Sequence, residues 1–414
     1  MLADIPMIFI LIGLAAYIVL AGADFGTGFW TFVFYRKGGD RARFVESLHN
    51  TMGPVWEANH VWLIFILVVC WTAYPVAFAS ITSTLCVPLL IAAVGIISRG
   101  AAYALRSQFA AAPRERLIDD RVFALSSLLT PFALGAAIGG IASDRVPVGN
   151  AAGNLVNSWL NPTSALIGVL SITTCCYLSA VYLAADAWRR ADTDMIHFLR
   201  RMSLRAGVAA GALAMFGLFV LHADARPIWT GLTNGFGACL LCLSIASGSA
   251  AVIFVWRNKF GLGRLSAALA VAAIVAGWAV AQQPRLLPGL TVTQAAAGRS
   301  TLIAVIVSIS LGAIVLVPSL VLLFGLSLRG HFDSASSVDI PARKIENQTG
   351  NYGSVFALFA IVSLLLGTVG TVFGSGWIQT LGVLCLFLFA ALAFVLAATP
   401  VDSIEKEVAT REVP

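Results

Sequence analysis

Charged residues are scarce in this chain of 414 residues. Asp, Glu, Lys and Arg make up 11% of it, whereas 59% of its residues are hydrophobic and its mean hydropathy is +0.90. A water-soluble domain cannot bury that much apolar surface. The composition therefore excludes the soluble classes and predicts an all-α polytopic membrane protein.

Histidine and cysteine are also few, with five and seven residues. The cysteines all fall inside apolar segments, where cysteine behaves as a small hydrophobe, and the histidines do not have the spacing of metal ligands. The 26 basic residues lie in short loops without an interleaved aromatic pattern, which argues against a nucleic-acid partner. We expect no metal site and no nucleic acid in this chain, and we expect membrane lipids around it.

Apolar runs of about 20 residues, the length that crosses a bilayer, recur along the chain. They predict eleven membrane-spanning helices, at residues 5–34, 55–74, 76–98, 122–142, 162–186, 206–222, 233–256, 263–282, 300–326, 353–373 and 377–398.

The basic residues predict the orientation, because cytoplasmic loops carry the excess of Lys and Arg. The connections after the odd-numbered predicted helices, together with the C-terminal tail, hold 22 of the 26 basic residues, and Arg99 is counted among them. This alternation predicts an N-terminus outside and a C-terminus in the cytoplasm.

A long polar stretch at residues 328–352 interrupts the apolar pattern. Its small and polar residues are typical of a surface linker. It separates a nine-helix membrane domain, residues 1–327, from an additional pair of transmembrane helices, residues 353–398, which a cytoplasmic tail follows at residues 399–414.

Asp24 stands in the glycine-rich stretch GADFGTGFW, residues 22–30. An ionisable residue at membrane depth is costly and usually functional. Gly22, Gly26 and Gly28 allow another helix to come close, so Asp24 is expected to face a protein interior and the glycines to be packing positions. Proton transfer and the balancing of a buried cation are its candidate roles, and a structural hydrogen bond to a neighbouring helix is the alternative.

A second set of polar residues lies at the start of the next apolar run, in the stretch PVWEANHVWL at residues 54–63. Glu57 and His60 are three positions apart and share a helical face, which makes them candidates, with Asp24, for a proton pathway. The alternatives are that Glu57 stabilises the helix N-terminus and that His60 only hydrogen-bonds. The other motif positions, expected to serve packing, are Trp56, Asn59 and Trp62.

These two stretches are similar to those of a known family. GADFGTG at residues 22–28 and GPVWEANHVWL at residues 53–63 resemble subunit II of cytochrome bd-type quinol oxidases, including the cyanide-insensitive ones. Supporting matches follow at residues 71–75, 160–162, 287–296 and 317–320, so the resemblance runs to about residue 326.

The resemblance implies a non-haem subunit that pairs with a haem-bearing subunit I, which holds haems b and a d-type haem, or b-type haems alone, and the quinol site. The complex oxidises quinol and reduces oxygen to water in the bacterial cytoplasmic (inner) membrane, and this chain alone would not be catalytic. Subunit II would contribute assembly, a proton route through Asp24 and Glu57 and, in some members, a structural quinone. For the helices at 353–398 the alternatives are partner docking, replacement of a small accessory subunit, and anchoring.

A secondary transporter is the competing class. Asp24 beside helix-loosening glycines and the polar stretch at Glu57 would then form a carboxylate site at the membrane midplane. The sequence shows neither inverted-repeat hydropathy nor a second matched glycine-rich break, so we retain the transporter as the alternative function.

Overall fold

The structure is a computed structural model and describes residues 2–36, 59–105, 113–189, 191–328, 352–373 and 377–398. Most of these described residues are helical. In chain order the helices are α1 (Ile5–Arg36), α2 (Asn59–Ala73), α3 (Pro75–Thr84), α4 (Cys86–Leu105), α5 (Pro113–Ala142), α6 (Pro162–Arg189), α7 (Thr193–Asp224), α8 (Arg226–Thr233), α9 (Gly235–Trp256), α10 (Phe260–Gln282), α11 (Val292–Ala295), α12 (Arg299–Leu328), α13 (Tyr352–Phe373) and α14 (Trp377–Ala398).

The predicted apolar runs correspond to these helices. The run at 162–186 lies in α6, for example, and the run at 263–282 lies in α10. Within the described residues, seven helices are long and apolar enough to cross a membrane, or eight if α3 and α4 count as one broken span. The all-α membrane fold is confirmed, and the total of eleven spans stays a prediction.

The third predicted span, residues 76–98, is not a straight helix. The axes of α3 and α4 meet at 82°. The hydroxyl groups of Ser80 and Ser83 on α3 accept hydrogen bonds from the backbone N–H groups of Gly149 and Ala151, at 3.0 and 2.8 Å. These bonds hold α3 against the loop that follows α5. The prediction of a span at 76–98 did not include this bend, because both halves are apolar and hydropathy carries no information about the direction of a helix axis.

Side-chain caps fix where two of the long helices begin. Pro162 is the first residue of α6, and the side-chain oxygen of Asn161 accepts from the N–H of Ser164 at 2.9 Å. Asp192 caps α7 in the same way, accepting from the N–H of Met195 at 3.3 Å. Such caps satisfy N–H groups that have no partner within the first turn.

The chain divides into two compact units, Met1–Leu320 and Val321–Pro414. In the first unit, α1 packs against α5, α6 and α10. Ala180 and Ala184 of α6 are fully buried in this core, because small side chains allow membrane helices to approach closely. The described helices of the second unit, α13 and α14, also cross at small residues, since a β-carbon on Gly370 would lie 3.0 Å from Cα of Gly382.

The two ends of the first unit differ in character. One end holds an antiparallel hairpin of β1 (Arg285–Leu287) and β2 (Leu290–Thr291). We call it the hairpin end, and Ala297 ties it to the α2–α3 corner by donating from its N–H to the carbonyl of Ala73 at 2.8 Å. The opposite end, where α6 and α9 finish and α7 begins, carries several arginines, and we call it the basic end.

Candidate functional site

The glycines of α1 bring three helices together around Asp24. A β-carbon on Gly22 would lie 2.7 Å from a side-chain carbon of Leu178 in α6, and one on Gly28 would lie 3.2 Å from the carbonyl oxygen of Phe123 in α5. The β-carbon on Gly28 would also lie 2.5 Å from the β-carbon of Ser127, so a side chain at either position would require neighbouring atoms to move. The glycine face of α1 is therefore filled by α5 and α6 of this same chain.

Asp24 is buried, with 2% of its surface exposed, and it forms an ion pair with Arg99 of α4. Nη2 of Arg99 donates to Oδ1 of Asp24 at 2.6 Å and to the backbone carbonyl of Asp24 at 2.8 Å. Arg99 is itself only 1% exposed. A buried charge is tolerated when it is paired and hydrogen-bonded, and each member of this pair meets that condition through the other.

Arg99 was not predicted as a site residue, because its position directly after the third apolar run indicates a cytoplasmic loop arginine. That assignment was wrong: Arg99 lies within α4, and its side chain points into the protein. The signal that could have found it is a lone arginine inside an apolar stretch, since such a residue needs a buried acid and the first helix offers Asp24.

The rest of the Arg99 guanidinium is also contacted by protein groups. Nη1 donates to the hydroxyl of Ser127 in α5. The guanidinium carbon lies 4.2 Å from the ring centroid of Phe123 and 5.2 Å from that of Phe25. Both distances are within cation–π range, so the aromatic rings help to stabilise a charge that is buried in the protein.

Asn59 and His60 of α2 approach the ion pair from another side. Nδ2 of Asn59, a residue that is 3% exposed, donates to Oδ2 of Asp24 at 3.4 Å. His60 and Tyr17 line a small cavity together with Asp24, Asn59 and Arg99. The structure thus brings together Asp24, His60 and Asn59, three of the residues singled out in the sequence.

The cavity has a volume of about 10 Å³. Two buried polar atoms of its lining residues, Nε of Arg99 and Oδ1 of Asn59, have no hydrogen-bond partner among the described residues. One of these atoms is a donor and the other an acceptor, and the volume is close to that of a single water molecule. A quinone ring does not fit in this space.

Of the remaining candidate residues, the structure describes Trp62 but not Glu57 or Trp56. Trp62 packs edge-on against Phe65, with ring centroids 6.1 Å apart, and it borders the cluster of Tyr17, Ala21 and Phe25. Glu57 and Trp56 lie outside the described residues, so their predicted roles stay predictions. Within the described residues, no group of three or more His, Cys, Asp or Glu side chains is arranged to hold a metal ion.

A second polar cluster lies at the hairpin end. Arg145 donates to both carboxylate oxygens of Asp224, at 3.0 and 2.6 Å. The backbone N–H and the hydroxyl of Thr163 donate to the same carboxylate, at 3.1 and 2.6 Å. The hydrogen bonds that Arg145 donates to Asp224 raise the pKa of Arg145 above its usual value. This cluster joins the end of α7 to the start of α6 and is a structural clamp.

Comparison with solved structures shows the fold. A chain of the bd oxidase from Geobacillus thermodenitrificans superposes with a TM-score of 0.66 at 24% sequence identity, covering 78% of this chain and 98% of that one.

Curated relatives match over parts of the sequence. Subunit 2 of the cytochrome bd ubiquinol oxidase of Bacillus subtilis is 31% identical over 32% of this chain and 38% of its own length. A putative cytochrome bd menaquinol oxidase subunit II of the same organism is 20% identical, over 62% of this chain and 73% of its own length. Subunit 2 of the Escherichia coli cytochrome bd-I ubiquinol oxidase is 26% identical over 41% of this chain. The chain thus spans less than half the length of two of these three relatives, the B. subtilis ubiquinol and E. coli proteins.

The family model for cytochrome bd terminal oxidase subunit II matches residues 2–327. That range contains the glycine stretch of α1, the Asp24–Arg99 pair and the hairpin end, and it stops before α13. The match covers well over half of the sequence and agrees with the fold, and the chain belongs to the cytochrome bd terminal oxidase subunit II family.

Proposed function

We propose that this chain is the non-haem subunit of a bacterial inner-membrane complex that oxidises quinol and reduces oxygen to water. Its partner is a haem-bearing subunit I, which supplies the haems and the electron transfer. The names of the relatives support a quinol as electron donor, since they include both ubiquinol and menaquinol oxidases. Family membership removes the reason for retaining the transporter as an alternative.

We further propose that the chain contributes a proton route in addition to assembly. The observation that carries this proposal is the small polar cavity beside Asp24, which His60, Asn59 and Tyr17 also line. Carboxylate, imidazole and phenol groups can all exchange protons. Their convergence on one water-sized space inside an apolar helix bundle supports a relay in which the first step passes from Glu57 towards His60.

Arg99 balances the negative charge of Asp24 in this route. The guanidinium does not lose its proton in proteins, so it remains a fixed cation that balances the carboxylate of Asp24. A proton that enters the cavity therefore meets a pair that is neutral overall. The cost of the excess charge is lower than it would be beside an isolated buried cation.

A water molecule in the cavity would complete the path. It would accept from Nε of Arg99 and donate to Oδ1 of Asn59, the two atoms without partners. Buried waters typically satisfy such groups. In this arrangement Asn59 positions the water next to Asp24, and His60 delivers the proton to it.

The orientation of the chain remains part of the proposal. The excess of basic residues at one end persists after Arg99 is removed from the loop count, and it places the basic end in the cytoplasm. Asn59 is the first described residue of α2 and lies towards that end. Protons would therefore enter from the cytoplasm by way of Glu57.

Glu57→Gln and His60→Gln in the assembled complex test the route, because both changes keep a polar side chain but remove proton transfer. We expect quinol-driven oxygen consumption and proton uptake to fall by about a hundredfold or more, because a positioned proton-transfer group typically contributes about 10²–10⁴-fold. The haem absorption spectrum, measured on the same sample, reports whether the complex has assembled.

Asp144→Asn is the matched control, since it changes a carboxylate at the hairpin end that pairs with Arg285. It should leave turnover unchanged. Normal turnover of fully assembled Glu57→Gln and His60→Gln complexes would contradict the proton route and leave assembly as the role of this chain.

A further inference from the structure

The basic end has a second feature that the proton route does not use. There the start of α7 packs beside the end of α9, and Arg200 bridges them by donating from Nε to the carbonyl of Val255 at 3.4 Å and from Nη2 to the carbonyl of Trp256. Gly207 continues this contact, since a β-carbon on it would lie 3.0 Å from the side chain of Val252. The two helices therefore pack side by side, and we call the seam between them on the uncovered side the groove.

One face of α7 is uncovered along its whole length. Positions 201, 205, 208, 215 and 219 follow one another at helical spacing and form a single stripe. Arg201 and Arg205 occupy its first two positions and are exposed. Val208, Met215 and Phe219 continue it, with 64%, 48% and 74% of their surfaces uncovered by this chain.

The end of α9 presents a similar stripe. Arg257 is exposed just beyond the last turn, and Trp256 and Ile253 precede it, with 60% and 47% of their surfaces uncovered. Tryptophan is enriched at the level of lipid headgroups. This stripe therefore also passes from a cationic group to apolar groups with increasing depth in the membrane.

Helical geometry places the two stripes on the same side of the pair. Successive residues of a helix turn by about 100°, so on α7 Val208 and Arg201 lie about 100° and 120° from Gly207, which faces α9, and Arg205 lies about 160° from it, at the outer edge of the stripe. On α9, Ile253 directly follows Val252, which faces α7, so Ile253 is also rotated by about 100° in the direction of the chain. Because the helices run in opposite directions, these two offsets turn to the same side and flank the groove.

The guanidinium groups of this groove are available to an external anion. No ion pair involving Arg201, Arg205 or Arg257 is formed among the described residues. Asp194 lies on the same face of α7, two turns nearer its N-terminus, where the helix dipole favours a carboxylate. The positive charge around Arg201 and Arg205 is thus not neutralised by its neighbours.

We propose that the groove between α7 and α9 at the basic end binds an anionic phospholipid. Arg201, Arg205 and Arg257 contact its phosphate and headgroup, and the apolar stripe below them contacts an acyl chain. A free anion would use the arginines alone, whereas the continuous passage from cationic to apolar groups matches a lipid in both charge and depth. The site is independent of the proton route.

The test measures lipid retention by the purified complex. The complex is placed in nanodiscs of equal phosphatidylglycerol and phosphatidylcholine, extracted in mild detergent, and analysed by native mass spectrometry. We expect the unaltered complex to retain phosphatidylglycerol preferentially. In Arg201→Gln/Arg205→Gln the preference should fall by roughly fivefold for each charge removed.

Two variants act as controls. Arg201→Lys/Arg205→Lys keeps both charges and should keep most of the preference, and Arg226→Gln removes an exposed arginine at the hairpin end and should not change it. Equal retention of the two lipids by the unaltered complex, or the same preference in the double glutamine variant, would overturn the proposal. Turnover, assayed in parallel, separates this result from that of the proton-route variants.

Discussion

Gly26 of α1 lies directly against Ser179 of α6, so that a β-carbon on Gly26 would be 2.5 Å from the β-carbon of Ser179. The same atom would also overlap the carbonyl oxygen of Cys175. Backbone and side chain of α6 therefore both occupy the space that any residue other than glycine would need. This contact sets the spacing of the two helices beside Asp24.

Gly26→Ala should separate α1 from α6 and destabilise the complex by about 1–3 kcal/mol, the usual range for overpacking. Thermal unfolding of the purified complex measures the change. Gly211→Ala on α7 is the control, because a β-carbon there meets nothing within 4 Å and alanine favours a helix. A Gly26→Ala complex as stable as the control would show that α6 can move away without cost.

Asp24→Asn should leave the Arg99 guanidinium buried without its counter-charge. Breaking one side of a buried ion pair costs about 3–5 kcal/mol, so we expect a low yield of assembled complex and a lower unfolding temperature. Haem absorbance per unit of purified protein measures the yield.

Replacing both partners together, in Asp24→Leu/Arg99→Met, should restore much of the lost stability, because apolar side chains of similar volume leave no uncompensated charge. Turnover of this double variant then isolates the chemical role of the pair. If the double variant is no more stable than Asp24→Asn, the ion pair does not account for the loss.

Asp224→Asn should weaken the clamp at the hairpin end by about 1–3 kcal/mol, because the carboxylate accepts four hydrogen bonds from Arg145 and Thr163 and buried donors that lose an acceptor are costly. Asp144→Asn is a suitable comparison, since its pair with Arg285 is 3.3 Å long and partly exposed and should contribute less than about 1 kcal/mol. Chemical denaturation of the two variants side by side distinguishes them, and equal losses would contradict the clamp.

Helices were predictable from the sequence because length and hydropathy determine them directly. The spans at 162–186 and 263–282 needed only apolar runs of sufficient length. The bend between α3 and α4 could not be predicted in this way, since Ser80 and Ser83 are held by loop residues about 70 positions away. Such long-range contacts cannot be detected in a local hydropathy pattern.

The candidate site was predictable only in part. Asp24 and His60 stand out as polar groups in apolar runs, and the glycines beside Asp24 indicate a close helix contact. Arg99 did not stand out, because an arginine near the end of an apolar run is usually a loop residue at the membrane surface. Its partner is 75 positions away, and the packing of α5 against both α4 and α1 brings the two charges together.

The separation of Asp24 from Arg99 also constrains how the protein is made. During synthesis α1 enters the membrane well before α4, so Asp24 has no counter-charge until Arg99 has also been inserted. During that interval Asp24 is an unpaired acid among apolar groups. Contact with the insertion machinery, or with water at the bilayer surface, would lower the cost of this state. The ion pair therefore closes only after α4 has been inserted, and α5, which packs against both α1 and α4, completes its surroundings.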